Sequence, residues 1–187
     1  MKTKHIVLLI GLLIYASSTA AQTRFYDVTR TFHESGFTYQ ADVSGGFVTL
    51  YNRAAGRFTD LRQTHRDGRL ISEADWDRYD DAVRPESRQM MNLAERIVRD
   101  SFSAAERNRL RRDDFFGLRL IICPDTGNVK EVHFHFHRNS GYATIPVTTY
   151  RRMEVEIKRQ VRFTPTDFGR SMNFIFRGWR IDVTTPM

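Results

Sequence analysis

Three histidines at alternate positions, His133, His135 and His137, sit in the run Lys130-Glu131-Val132-His133-Phe134-His135-Phe136-His137-Arg138. On a strand, side chains two residues apart share a face, so the histidines line one side and Val132, Phe134 and Phe136 the other. Neutral imidazoles at that spacing can chelate zinc or copper when further ligands and outer acceptors approach. By parity Glu131 shares the histidine face and is the one local carboxylate able to join them. The competing expectation is a polar outer face that packs on the amino-terminal sheet or on a partner.

Other reactive side chains are less organised. Cys123, the only cysteine, ends an Ile-Ile run ahead of a turn and is expected to be a buried small hydrophobe rather than a nucleophile. Ser140-Gly141 lacks the Gly-x-Ser-x-Gly pattern and the strand-to-helix context of a nucleophile elbow. Asp75 and Asp77 share one side of a short turn, but a carboxylate pair for glycoside hydrolysis is defined by separation in space. A hydrolytic enzyme is therefore the remote alternative, and no catalytic residue is assigned.

The elements that must hold the histidine strand are readable around it. Leu118–Cys123 is an apolar run, Pro124 to Asn128 supplies turn residues including Asp125 and Gly127, and Val129–Arg138 alternates. After a loop at Asn139-Ser140-Gly141-Tyr142, the last long helix begins near Pro146, with Val147, Tyr150, Met153, Ile157 and Val161 at helical spacing. Thr164-Pro165 ends it, Asp167-Phe168-Gly169-Arg170 turns, and Ser171 to Val183 forms a final strand. The predicted core of this module is Leu118, Leu120, Ile122, Phe134, Phe136, Tyr150, Ile157, Phe174 and Phe176. Met172, Phe174 and Phe176 are placed beneath the helix, and Asn173, Ile175 and Arg177 on the opposite face.

Upstream, Phe37–Val43 and Phe47–Tyr51 flank Ser44-Gly45-Gly46 and predict a hairpin or meander. Thr64 to Leu70 is a loop or a further short strand. Pro85 opens a helix whose apolar face is Met90, Leu93, Ala94, Ile97 and Val98. Ser103 and Glu106 have capping-box spacing and start a shorter helix to about Arg111. The expected organisation is residues 1–21 as a signal peptide, 22–84 β-rich, 85–112 helical, and 113–187 the β-β-α-β module, packed together as an α+β fold with a small antiparallel sheet against helices.

At the amino terminus Lys2, Lys4 and His5 precede the apolar stretch Ile6 to Tyr15 and the small residues Ala16 to Ala21, the order of a cleavable signal with a cut before Gln22. The apolar stretch is far shorter than the roughly 20 residues of a spanning helix. The expectation is a periplasmic or extracellular chain with no membrane span after processing and no cysteine positioned for a lipid anchor. The chain has 29 basic and 22 acidic residues, net +7. Its arginines are scattered among acids, as in Asp75-Trp76-Asp77-Arg78-Tyr79-Asp80-Asp81, without a recognition stripe, so nucleic acid is not the expected partner.

Five pieces of the last third fall in a familiar order. Leu118-Arg119-Leu120-Ile121-Ile122, Pro124-Asp125-Thr126-Gly127-Asn128-Val129, Asn139-Ser140-Gly141-Tyr142, Val161-Arg162-Phe163-Thr164-Pro165 and Gly169-Arg170 resemble the TonB carboxy-terminal domain over about residues 118–183. Val161 stands where that family has tryptophan. The whole chain also resembles secreted, uncharacterised proteins of Bacteroides-type bacteria. The resemblance implies the β-β-α-β order and a habit of adding a strand to a partner, here an envelope protein or a second copy of the chain. It carries over no mechanism, and no cofactor is expected beyond the zinc or copper that the histidine face could hold.

Overall fold

The computed structural model describes residues 24–54, 58 and 61–184. The signal segment expected at 1–21 lies outside them. Strands β1 (Arg30–Glu34), β2 (Phe37–Ser44) and β3 (Phe47–Asn52) form a meander. A short helix α1 (Glu73–Asp77) and two single 3-10 turns lead to α2 (Arg88–Ser101) and α3 (Ala104–Arg107). Then come β4 (Phe116–Ile122), β5 (Val129–His137), α4 (Val147–Gln160), the one-turn α5 (Asp167–Arg170) and β6 (Ile175–Arg180).

All six strands join one antiparallel sheet in the order β1-β2-β3-β5-β4-β6. The architecture is α+β, a small antiparallel sheet packed by helices. Alternation sets the register: Phe134 sits opposite Leu50 and Leu118, and Phe136 opposite Val48 and Phe116. These residues form one apolar face, and α4 lies across it with Tyr150, Met153 and Ile157 inward and fully buried. Leu118, Leu120 and Ile122 of β4 complete that layer. The Tyr150 hydroxyl is satisfied by donating to Tyr142 O at 2.8 Å. On the same side, Glu154 is buried and accepts from Tyr39, Asn52 and Lys158, tying α4 to β2 and β3.

The turn between β4 and β5 needs its glycine. Gly127 has φ +71°, and a Cβ there would lie 1.8 Å from Phe163 O. Asp125 in the same turn is exposed and pairs with Arg66 at 2.6 Å. Gly141 and Gly169 fill close approaches, where a Cβ would meet Arg109 O and Ala82 O.

Several expectations need correction. Phe174 and Phe176 do not lie beneath the helix with Phe134. Phe176 pairs with Ile121, its ring lies under Arg119 on the histidine face, and the Phe174 ring meets Phe58. Ile175, fully buried, takes the helix side. Alternation in this strand is preserved but its two sides are exchanged, because the sheet is covered on both faces and β6 is apolar at both parities. Cys123 is half-buried, since β4 ends at Ile122 and the chain is already turning. Helix α3 stops at Arg107, four residues early; its capping box is present, with Ser103 Oγ accepting from Glu106 N at 3.2 Å.

The expected open edge of the module is also altered. The β5 edge is taken by β3, leaving β1 and β6 as the outer strands. Along β6, Phe176 N donates to Tyr79 Oη at 2.9 Å, and Gln63 Nε2 donates to Phe174 O at 2.7 Å just before the strand.

Candidate functional site

The histidine face is built from alternate residues of four neighbouring strands. Register places Thr49 beside His135, and His135 beside Gly117; in the next row Tyr51, His133, Arg119 and Gly178 follow one another across the sheet. The three histidines do share this face, yet each is bound to a different neighbour. His133 Nε2 lies 3.1 Å from Glu131 Oε2, both side chains buried, and its ring packs on Tyr51. Glu131 uses its other oxygen to accept from Phe58 N at 3.0 Å, fastening Phe58 to this face.

His135 Nδ1 lies 3.1 Å from Thr49 Oγ1, and its Nε2 is enclosed with no hydrogen-bond partner among the described residues. Burial, reinforced by the charges of Arg119 and His133, holds its pKa down at about 4. His137 stands against the Phe47 ring and accepts from Asn139 N through Nδ1. Successive residues on one strand face are about 6–7 Å apart, and here each imidazole is drawn to its own cross-strand partner. The arrangement expected for zinc or copper is not assembled: among the described residues no three His, Cys, Asp or Glu side chains are grouped to hold a metal.

What the face does form is a pair of clefts joined at Arg119 and Phe176. One, of about 430 Å³, runs past His133 to Phe58, Leu61, Trp76 and Phe174. The other, of about 450 Å³, runs over Gly117 and Gly178 past His135 to Phe47 and Phe115. The Arg119 guanidinium sits 5.0 Å from the centroid of Phe176. Small residues in the sheet let the rings lie flat: a Cβ at Gly117 would come 3.1 Å from Phe115 Cζ, and one at Gly178 2.8 Å from Phe176 Cζ. Leu61, Trp76, Phe47 and Phe115, exposed by 50, 51, 46 and 37 %, line these two clefts. Clustered exposed aromatics of this kind mark a surface that meets something. A larger cleft, about 840 Å³, separates α2 from α4, but its walls set Arg96, Arg151 and Arg152 against Asp100 and Glu156 without a comparable aromatic floor.

A second constellation was invisible in the sequence because its members lie far apart in the chain. His65 Nε2 is 3.1 Å from Asp75 Oδ2, and His65 Nδ1 is 3.1 Å from Ser171 Oγ. These are the residue types of a hydrolytic triad. Their bonds point elsewhere: Ser171 Oγ donates to Phe168 O at 2.7 Å, so its proton is not presented to the imidazole. Asp75 also accepts from Ser72 N and Ser72 Oγ, bonds that hold its pKa well below the usual carboxylate range, helped by His65. The N–H groups of Ser171 and Met172 are bonded to Asp167 O and Gly169 O, which leaves neither to stabilise an oxyanion. The cluster fastens α1 to the turn before β6.

A family model described as a domain of unknown function, DUF5043, matches residues 22–179. The chain belongs to the DUF5043 family. The crystal structure of a DUF5043 family protein from Bacteroides uniformis ATCC 8492 is 32 % identical, with a TM-score of 0.76 over 86 % of this chain and 88 % of that one. No curated protein matches the chain. DUF5043 membership is thus what the comparisons establish, and the likeness to the TonB domain rests on the motifs of residues 118–183 and their element order. Among the described residues of this DUF5043 chain, no helix is long and apolar enough to cross a membrane.

Proposed function

We propose that this DUF5043 chain is an exported, non-catalytic binding module that engages its partner through the histidine-bearing sheet face. One observation carries the reading: four large exposed hydrophobic side chains converge on the two clefts that meet at Arg119. The order of charged, apolar and small residues at the amino terminus supports export to the periplasm or beyond. The TonB-like order of β4, β5, α4 and β6 supports a role in meeting other molecules. The face is favoured over the sheet edge because β3 covers β5 and side chains occupy part of the outer side of β6.

The test is hydrogen exchange of the purified exported chain, alone and with soluble envelope extract of its host. Protection should appear in β3, β4 and β6 and be lost in a Phe115→Ser/Trp76→Ser double variant. Protection confined to β1, or unchanged in that variant, would refute the reading. A second copy of the chain is the alternative occupant, and concentration-dependent protection without extract would identify it.

A further inference from the structure

The cleft over Gly117 and Gly178 is rich in donors and poor in acceptors. His135 lines it with an enclosed ring nitrogen, Nε2, that has no hydrogen-bond partner among the described residues. Arg119 and Arg180 line it too, and among the described residues no aspartate or glutamate does. Among the described residues neither arginine is paired with a carboxylate. When Thr49 donates to His135 Nδ1, the orphan Nε2 carries the ring proton and becomes one more donor. Buried donors without acceptors are rare in a finished interior and point to a group that arrives from outside.

The walls narrow the chemistry. Phe47 and Phe115 meet edge to face at 5.9 Å on one side, and the Phe176 ring lies beneath Arg119 on the other. The two glycines let these rings lie against the sheet, Phe115 over Gly117 and Phe176 over Gly178. A volume of about 450 Å³ suits a small molecule rather than a folded partner. A planar guanidinium matches a planar carboxylate through two parallel bonds. His135, held largely neutral at pH 7 by its surroundings, supplies a dipole and no further full charge, which favours a monoanion.

We propose that this cleft binds a small ring-bearing carboxylate, its carboxylate held by Arg119 and its ring placed between Phe115 and Phe176. The proposal rests on the reading of this face as the recognition surface and adds the chemistry of what it recognises. Aromatic acids and acidic sugars share that chemistry, since either presents a flat face to the rings and a carboxylate to the arginine.

Calorimetric titration of the purified exported chain with 2-naphthoate, its uncharged analogue 2-naphthamide, and galacturonate tests it. 2-Naphthoate should bind, and 2-naphthamide should bind at least about tenfold more weakly, as should 2-naphthoate to Arg119→Gln. The His135 ring proton resonances of the parent should shift on addition of 2-naphthoate, a readout that stands even where Arg119→Gln fails to fold. Galacturonate binding with the same Arg119 dependence would support the proposal with a sugar source, and binding of 2-naphthoate alone would support it with an aromatic one. Failure of both acids to bind, equal binding of 2-naphthoate and 2-naphthamide, or binding unchanged in Arg119→Gln would overturn it. If the acids fail while envelope extract still protects this face, the carboxylate chemistry falls and the recognition surface stands.

Discussion

Tyr150 of α4 and Phe136 of β5 lie face to face, their ring centroids 5.5 Å apart and their planes within 9°. The contact joins the two longest elements of the carboxy-terminal half. Phe134 at 5.1 Å and Tyr26 at 6.0 Å surround the same tyrosine, so the helix is seated on the sheet by a cluster of rings rather than by one pair.

Phe136→Ala should therefore be severely destabilising. Phe136 is fully buried, and truncating such a phenylalanine costs about 3–5 kcal/mol. Thermal or urea unfolding of the variant checks it. A melting temperature equal to the parent's would mean that the helix does not rest on this face.

Gly127→Ala should destabilise without touching the apolar core. The left-handed φ of +71° alone disfavours alanine, and the new Cβ would overlap Phe163 O. A loss of about 2 kcal/mol or more is expected. Gly45 has open space around a Cβ and a similar φ of +56°, so Gly45→Ala should cost about 1 kcal/mol. Equal losses at the two positions would show that backbone strain, not the approach of Phe163, sets the cost.

These contrasts show where the sequence was legible. Strict alternation in Val129–His137 and the stripe through Tyr150 and Ile157 define β5, α4 and their mutual face, because each has one clearly apolar side. Ile175 to Arg180 has apolar residues at both parities, Ile175 and Trp179 on one side and Phe176 on the other, so periodicity could not say which side meets the helix. The clefts were less legible still. Their walls come from Phe47, Trp76, Phe115 and Phe176, which meet only through strand order, and β3 pairs with β5 across more than 70 intervening residues. His65, Asp75 and Ser171 were hidden for the same reason.

Acidification should weaken the fold through His135. Its folded pKa of about 4 lies below the ordinary 6.5, held there by burial, then by Arg119 and His133. Between those two values the unfolded chain binds a proton that the folded chain resists, so stability is full above pH 6.5 and is lost as pH falls toward 4. Because the ring is partly screened by solvent, the loss should be about 1–2 kcal/mol. His135→Asn removes the titration, and its melting temperature should fall less steeply than the parent's over this window. Parallel curves would assign the acid sensitivity to other groups.

Glu131 should matter for stability more than any other acid on the histidine face. Its two oxygens serve two donors, the buried His133 Nε2 at 3.1 Å and the half-buried Phe58 N at 3.0 Å. Glu131→Ala strands both, and removing one member of a buried polar pair costs about 3 kcal/mol. Glu131→Gln keeps one acceptor but turns an NH₂ toward the second donor, so its loss should fall between the parent and Glu131→Ala. The Phe58 amide gives a local readout, because its hydrogen exchange should accelerate in both variants even under conditions where the rest of the sheet stays protected. If Glu131→Ala unfolds at the parent's urea midpoint with Phe58 exchange unchanged, the carboxylate is not what pins Phe58 to the sheet. Faster Phe58 exchange with an unchanged midpoint would instead confine the role of Glu131 to local attachment of Phe58.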